Sequence, residues 1–133
     1  MIFTYFIPSS NEVIINELLF NPKPDGVDFI EVYNKATLPV DLSKINLARR
    51  SDEGAIESKK QLSEFNKMLS PGVFLAISTD TAKTKLDYPA ATYDQFLQIP
   101  ILPSYNDDVG TVVLLFGDTI IDEFNYNEKC ILD

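Results

Sequence analysis

Histidine and tryptophan are absent from this chain of 133 residues, and cysteine occurs once. Without histidine, neither a Ser-His-Asp triad nor a Cys-His pair can be assembled, and His-ligated zinc is excluded. The single thiol, Cys130, cannot close an intrachain disulfide or build a Cys-rich metal site. It reads as an unreactive thiol near the C-terminus, with no lysine-rich setting to activate it. Cations are scarce as well: 11 Lys and Arg stand against 20 Asp and Glu, for a net charge of −9. A chain of that sign repels phosphate backbones and shows no basic cluster to override the repulsion, so nucleic acid is not an expected partner. No apolar run is long enough to span a bilayer. The apolar opening, Met1 to Pro8, lacks the basic start and small-residue cleavage site of a signal peptide. The lack of a disulfide fits a reducing compartment, and equally an extracellular domain large enough to do without one. What is present is a soluble-type composition, 45% hydrophobic, at a length that suits one domain around one core. The expectation is an acidic module that binds or braces, with no catalytic residue, no cofactor and no metal site.

The pattern along the chain is one of short strands separated by turn residues. Glu12 to Leu18 is rich in β-branched residues and is bounded by Pro8-Ser9-Ser10-Asn11 and by Asn21-Pro22-Lys23-Pro24-Asp25-Gly26. Val27 to Asn34 is a second strand, in which Ile30 and Val32 share one face and Phe29, Glu31 and Tyr33 the other. Pro39 to Ser43 is a turn, and Lys44 to Arg49 alternates polar and apolar as a half-buried strand does. Val73 to Ser78 is nearly all apolar, which suits a central strand buried on both faces. Asp107 to Gly110 reads as a turn before the strand Thr111 to Phe116. Gly117-Asp118 is a type II′ hairpin turn leading to Thr119 to Tyr126. Residues 50–68 stay open between a strand pair and a short helix, and in 79–98 Ser78-Thr79-Asp80 can cap a helix through Thr81 to Leu86. About six or seven strands with little helix argue an all-β sandwich. Its core is expected from Ile15 or its neighbours, Ile30, Val32, Leu47, Leu75, Ile77, Val113 and Leu115.

Glu17 and Glu31 are the first candidates for chemistry, since two carboxylates on neighbouring strands can share a proton or bind calcium. The alternative is that each simply faces solvent. Asp25, Asp28, Asp52, Asp107, Asp108 and Asp122 could supply calcium ligands but form no Ca-loop motif, and solvated turn residues are the simpler reading. Asn34 suits a local hydrogen bond to backbone. Ser70 and Ser104 have no base and no nucleophile elbow. Phe29, Tyr33, Tyr88, Tyr93, Tyr105 and Tyr126 can line a platform for sugar or peptide, or cap the ends of the sandwich.

Several stretches taken in order resemble the lamin tail domain family in its bacterial form. They are Val13 to Pro22, with Ile15-Asn16-Glu17-Leu18 at its centre; Gly26 to Asn34, with Phe29-Ile30-Glu31-Val32-Tyr33-Asn34; Val40-Asp41-Leu42-Ser43 followed by Ile45-Asn46-Leu47; Leu69-Ser70-Pro71-Gly72-Val73-Phe74-Leu75; and Leu102-Pro103-Ser104-Tyr105-Asn106 leading to Gly110 through Leu115. The resemblance implies an immunoglobulin-like β-sandwich of two mainly antiparallel sheets. It implies residues 12–127 as that sandwich, with 1–11 as an N-terminal linker or extra strand and 128–133 as a C-terminal tail. It implies a noncatalytic structural or protein-interaction module of a larger bacterial protein, secreted or at the cell envelope. The second reading is a carbohydrate- or calcium-binding accessory domain of a cell-surface hydrolase. The partner is then another protein or a neighbouring domain of the same polypeptide, with carbohydrate as the further alternative. A contact patch is expected at Phe29, Glu31 and Tyr33, where two rings flank one charge. The competing expectation is that residues 50–68 or 79–100 fold over this face and bury it.

Overall fold

The computed structural model describes residues 6–20, 27–87, 95–106 and 108–127. Two four-stranded sheets make the body. The first has the order β1 (Val13–Leu19), β2 (Phe29–Asn34), β7 (Phe74–Ser78), β8 (Gln95–Gln98). The second has the order β10 (Thr119–Asn127), β9 (Val109–Phe116), β4 (Ile45–Arg50), β5 (Ile56–Gln61). A small ladder pairs β3 (Val40–Asp41) with β6 (Met68–Leu69), a 3-10 turn follows β3 at Leu42–Lys44, and the α-helix α1 (Thr81–Asp87) precedes β8. Every pairing is antiparallel except β7 with β8, so the all-β sandwich of mainly antiparallel sheets stands.

Ile30, Val32, Leu75 and Ile77 of the first sheet meet Ile45, Leu47, Val112 and Leu114 of the second in one buried cluster. Alternation put Ile30 and Val32 on the inner face, and they are there. β7 is central, between β2 and β8, which explains its unbroken apolar run. On β9 the expected phase is corrected. Val112 and Leu114 face the core, while Val113 and Leu115 lie in a second buried cluster with Ala48. A run of five apolar residues carries no alternation to fix its register. The expected turn at 107–110 is also corrected in part: Val109 and Gly110 already belong to β9, and Asp107 lies outside the described residues. Residues 50–68 hold β5 and β6 and no helix. Asp80 caps α1, its Oδ1 accepting from the Lys83 N–H at 3.0 Å. The hairpin turn is as expected: Gly117 has φ 59 and Asp118 does not adopt positive φ, the type II′ pattern.

The outer face of the second sheet is roofed by charged side chains. Arg50 on β4 and Glu123 on β10 reach across β9 and join by two hydrogen bonds of 2.8 Å. Val113, the register partner of both Ala48 and Glu123, lies in this strip. Arg50 also donates to the Gly54 carbonyl at 2.6 Å. The hydrogen bonds from the Arg50 guanidinium hold the Glu123 carboxyl below its usual range. A depressed folded-state pKa gives stability that is present above the unfolded value and lost as pH falls through the folded one. The pair lies at the surface, where solvent screens it, so the contribution is small. Acid titration of the Glu123→Gln variant should therefore lack that part of the stability loss below about pH 4.5. An unchanged acid limb would show that the pair contributes nothing.

The two long sides of the sandwich differ. On one, β1 and β10 are joined: the Asn11 N–H donates to the Ile121 carbonyl at 3.1 Å and the Ile15 N–H to Asp122 Oδ2 at 2.7 Å. Each of these strands has a register shift at this seam, between Ile15 and Glu17 and between Ile120 and Asp122. Bulges of this kind end regular pairing and turn side chains toward new partners. On the other side lie the edge strands β5 and β8, with no hydrogen bond between them among the described residues.

Candidate functional site

The β2 face opposite the core was the expected contact patch. Its residues lie in rows across the sheet: Leu19, Phe29 and Ser78; Glu17, Glu31, Ala76 and Phe96; Ile14, Tyr33 and Phe74. The expected exposure is corrected. Phe29 and Glu31 are 0% and 1% exposed, and only Tyr33 is partly open, stacked on Phe74 at 4.2 Å. The helix α1 packs on part of this face. Thr84 is fully buried and its hydroxyl meets Ser78 Oγ at 3.2 Å, beside Phe29 in register, while Lys85 Nζ sits 4.4 Å from the Phe96 ring centre. Of the two stretches, 50–68 and 79–100, given in the competing expectation as a cover for this face, the second supplies α1, which packs at the Phe29 end. The rings of β2 serve as a second apolar layer.

Glu17 and Glu31 are brought directly opposite one another in register. The bulge makes Asn16 the extra residue, and its Nδ2 donates to Glu31 Oε1 at 2.7 Å. Two adjacent carboxylates still lack a third ligand. Among the described residues no three His, Cys, Asp or Glu side chains come together to hold a metal ion. The scattered acids have local tasks: Asp108 accepts from the Val109 N–H at 2.9 Å, and Asp122 holds the seam. Asp25 lies outside the described residues, as do Tyr88, Tyr93 and Cys130.

Asn34 is a buried polar side chain with three hydrogen bonds. Its Nδ2 donates to the carbonyls of Leu38 and Leu69, both at 3.0 Å, and its Oδ1 accepts from the Ala36 N–H at 2.9 Å. Its backbone also bonds the turn before β7, donating to the Val73 carbonyl at 3.2 Å and accepting from the Gly72 N–H at 2.8 Å. One fully buried amide thus fixes the loop after β2, the β3–β6 ladder and the approach to β7. The expected role as a backbone hydrogen-bonder is the observed one.

A polar cleft of about 290 Å³ opens near the start of β9, lined by Arg49, Arg50, Glu57, Tyr105 and Thr111 among others. Several of its groups are engaged within the protein. Arg49 pairs with Glu57 at 2.8 Å and donates to the Ser104 carbonyl at 2.6 Å, and Arg50 is held by Glu123. The Tyr105 hydroxyl donates to the Ala48 carbonyl at 2.6 Å and the Tyr126 hydroxyl to the Asn106 carbonyl at 2.7 Å. Burial, with Tyr126 close by, pushes the Tyr105 hydroxyl far above the ordinary phenol range, so it stays a donor. Both rings pack on Phe20, with centres 5.0 and 5.1 Å away. Gly110 is required here, because a Cβ at that position would lie 2.5 Å from the Tyr126 hydroxyl. These tyrosines cap one end of the core and form no open platform. Sequence reading missed this arrangement because its partners stand 57 or 73 positions apart, with no local spacing to signal them.

These features define a class: an immunoglobulin-like β-sandwich whose polar side chains hold loops, edges and turns. The Lamin Tail Domain family matches residues 7–128, and the chain belongs to that family. It is a family of non-enzymatic domains. A search of curated proteins found no match. No helix among the described residues is long and apolar enough to cross a membrane.

Proposed function

We propose that the chain is a noncatalytic interaction module of a larger bacterial protein, holding a partner protein or a neighbouring domain. Membership of the Lamin Tail Domain family carries this reading. The engaged state of the candidate polar groups supports it, since Glu31, Asn34, Arg49 and Arg50 all bond to the protein itself. The test is a scan in the source cells with a photoreactive residue placed in turn at Leu38, Glu53, Lys67 and Thr119, which lie exposed at separate points along the chain. A discrete protein adduct at one position supports the proposal, and no adduct at any position overturns it.

The same reading predicts that millimolar calcium, measured against a magnesium control, leaves the thermal midpoint unchanged. A saturating rise abolished by Glu31→Gln would instead favour a calcium-binding accessory domain of a cell-surface hydrolase.

A further inference from the structure

The unjoined side of the sandwich carries a groove of about 540 Å³ between the end of β5 with its following loop and the end of β8. That volume is in the range of clefts that hold ligands, roughly 300–1,000 Å³. Leu62, Leu97 and Ile99 form its floor and are themselves part of the main core. Two large apolar side chains line it without being buried: Phe65 is 77% exposed and Ile101 56%. Its charge is opposite to that of the chain. Three lysines, Lys59, Lys60 and Lys67, line it against one acid, Glu64, in a protein with 20 acids and 11 cations. Lys59 is tied to Asp118. The ammonium groups of Lys60 and Lys67 have no acidic or hydrogen-bonding partner among the described residues.

Resting on the reading as an interaction module, we propose that this groove receives an extended, acidic segment of a partner protein with apolar side chains spaced along it. Opposite charge steers such a segment in and selects against the basic segments that the rest of this acidic surface attracts. Phe65 and Ile101 supply exposed apolar area that a bound side chain can cover. The segment is extended because each wall includes the end of an edge strand, Lys59 to Gln61 of β5 and Leu97 and Gln98 of β8, and an edge strand can accept another strand beside it. β5 is the poorer edge for this: its ladder with β4 shifts register between Leu47 and Arg49, and Ser58 has φ 57. Such a bulge, with lysines alongside, discourages flat strand addition. β8 is therefore the wall along which the segment lies. The concave shape favours a chain segment over a lipid surface, which a protruding face would suit better.

The test uses the whole chain and a short fluorescein-labelled peptide alternating glutamate with leucine, read by fluorescence anisotropy. Saturable binding that weakens about tenfold in a Lys60→Glu, Lys67→Glu double variant is expected. A similar loss is expected for Phe65→Ser, Ile101→Ser, together with no binding of a lysine–leucine peptide. All four positions are at least partly exposed, and a circular dichroism melt confirms that each variant folds. Equal binding by the charge-reversed protein, or no saturation, overturns the proposal. So does binding to phosphatidylserine vesicles with none to the peptide, which would make the patch a membrane contact. If the groove variants lose nothing while photo-adducts persist at another face, the groove assignment fails and the interaction module stands.

Discussion

Replacing Asn34 by alanine is expected to lower stability by about 3–5 kcal/mol in urea unfolding, among the largest single effects in the domain. Three side-chain hydrogen bonds vanish together, and they leave the Ala36 N–H and the Leu69 carbonyl without their partner in a buried site. An unmade buried bond costs about 1–3 kcal/mol, so the loss exceeds what one hydrogen bond contributes when it forms. Asn34→Asp separates hydrogen bonding from shape. The carboxylate can still accept from Ala36, but it turns an oxygen toward the carbonyls of Leu38 and Leu69, where the amide donated. The neutral acid is favoured there, which raises the variant's folded-state pKa. That carboxyl's own contribution to stability is then greatest below its unfolded-state pKa and is lost as pH rises through the folded value. A loss below about 1 kcal/mol for Asn34→Ala would mean that the three segments are held by other contacts.

Val32→Asp should destabilise comparably, by about 4 kcal/mol, for a different reason. Val32 is 0% exposed in the main core, between its register partners Ile15 and Leu75. The change removes apolar burial and places a carboxylate where no hydrogen-bond donor is offered. Against a typical total of about 5–15 kcal/mol, that leaves a substantial unfolded fraction at ordinary temperature. Phe65→Ser, at a position 77% exposed, should stay within about 0.5 kcal/mol of the parent. A Val32→Asp protein that melts with the parent would mean that β2 presents its other face to the core.

The contrast between β2 and β9 shows what the sequence could reveal. Glu31 interrupts the apolar run of β2, so the alternation is visible and places Ile30 and Val32 correctly. Val112 to Phe116 has no such interruption, and its phase is set by pairing with β4 and β10, which a single strand's sequence does not encode. Alternation identified the outer face of β2 but not what lies over it. The cover depends on α1 folding back, and only its cap at Ser78-Thr79-Asp80 was a local signal. β8 is four residues long, too short for periodicity to distinguish from loop. The groove was the least legible feature, since its two walls lie far apart in the chain and become adjacent only when both sheets are built.

The β1–β10 side is sealed by hydrogen bonds, and the proposal assigns binding to the β5–β8 side. Amide hydrogen exchange of the chain, alone and with its captured partner, tests this most directly. The free protein should show slow exchange at Asn11 and Ile15, whose N–H groups bridge the seam, and faster exchange along the outer edges of β5 and β8. The partner should then slow exchange across residues 59–67 and 97–101 and leave the seam unchanged. Protection confined to the seam, or to the outer face of the second sheet, would contradict the account.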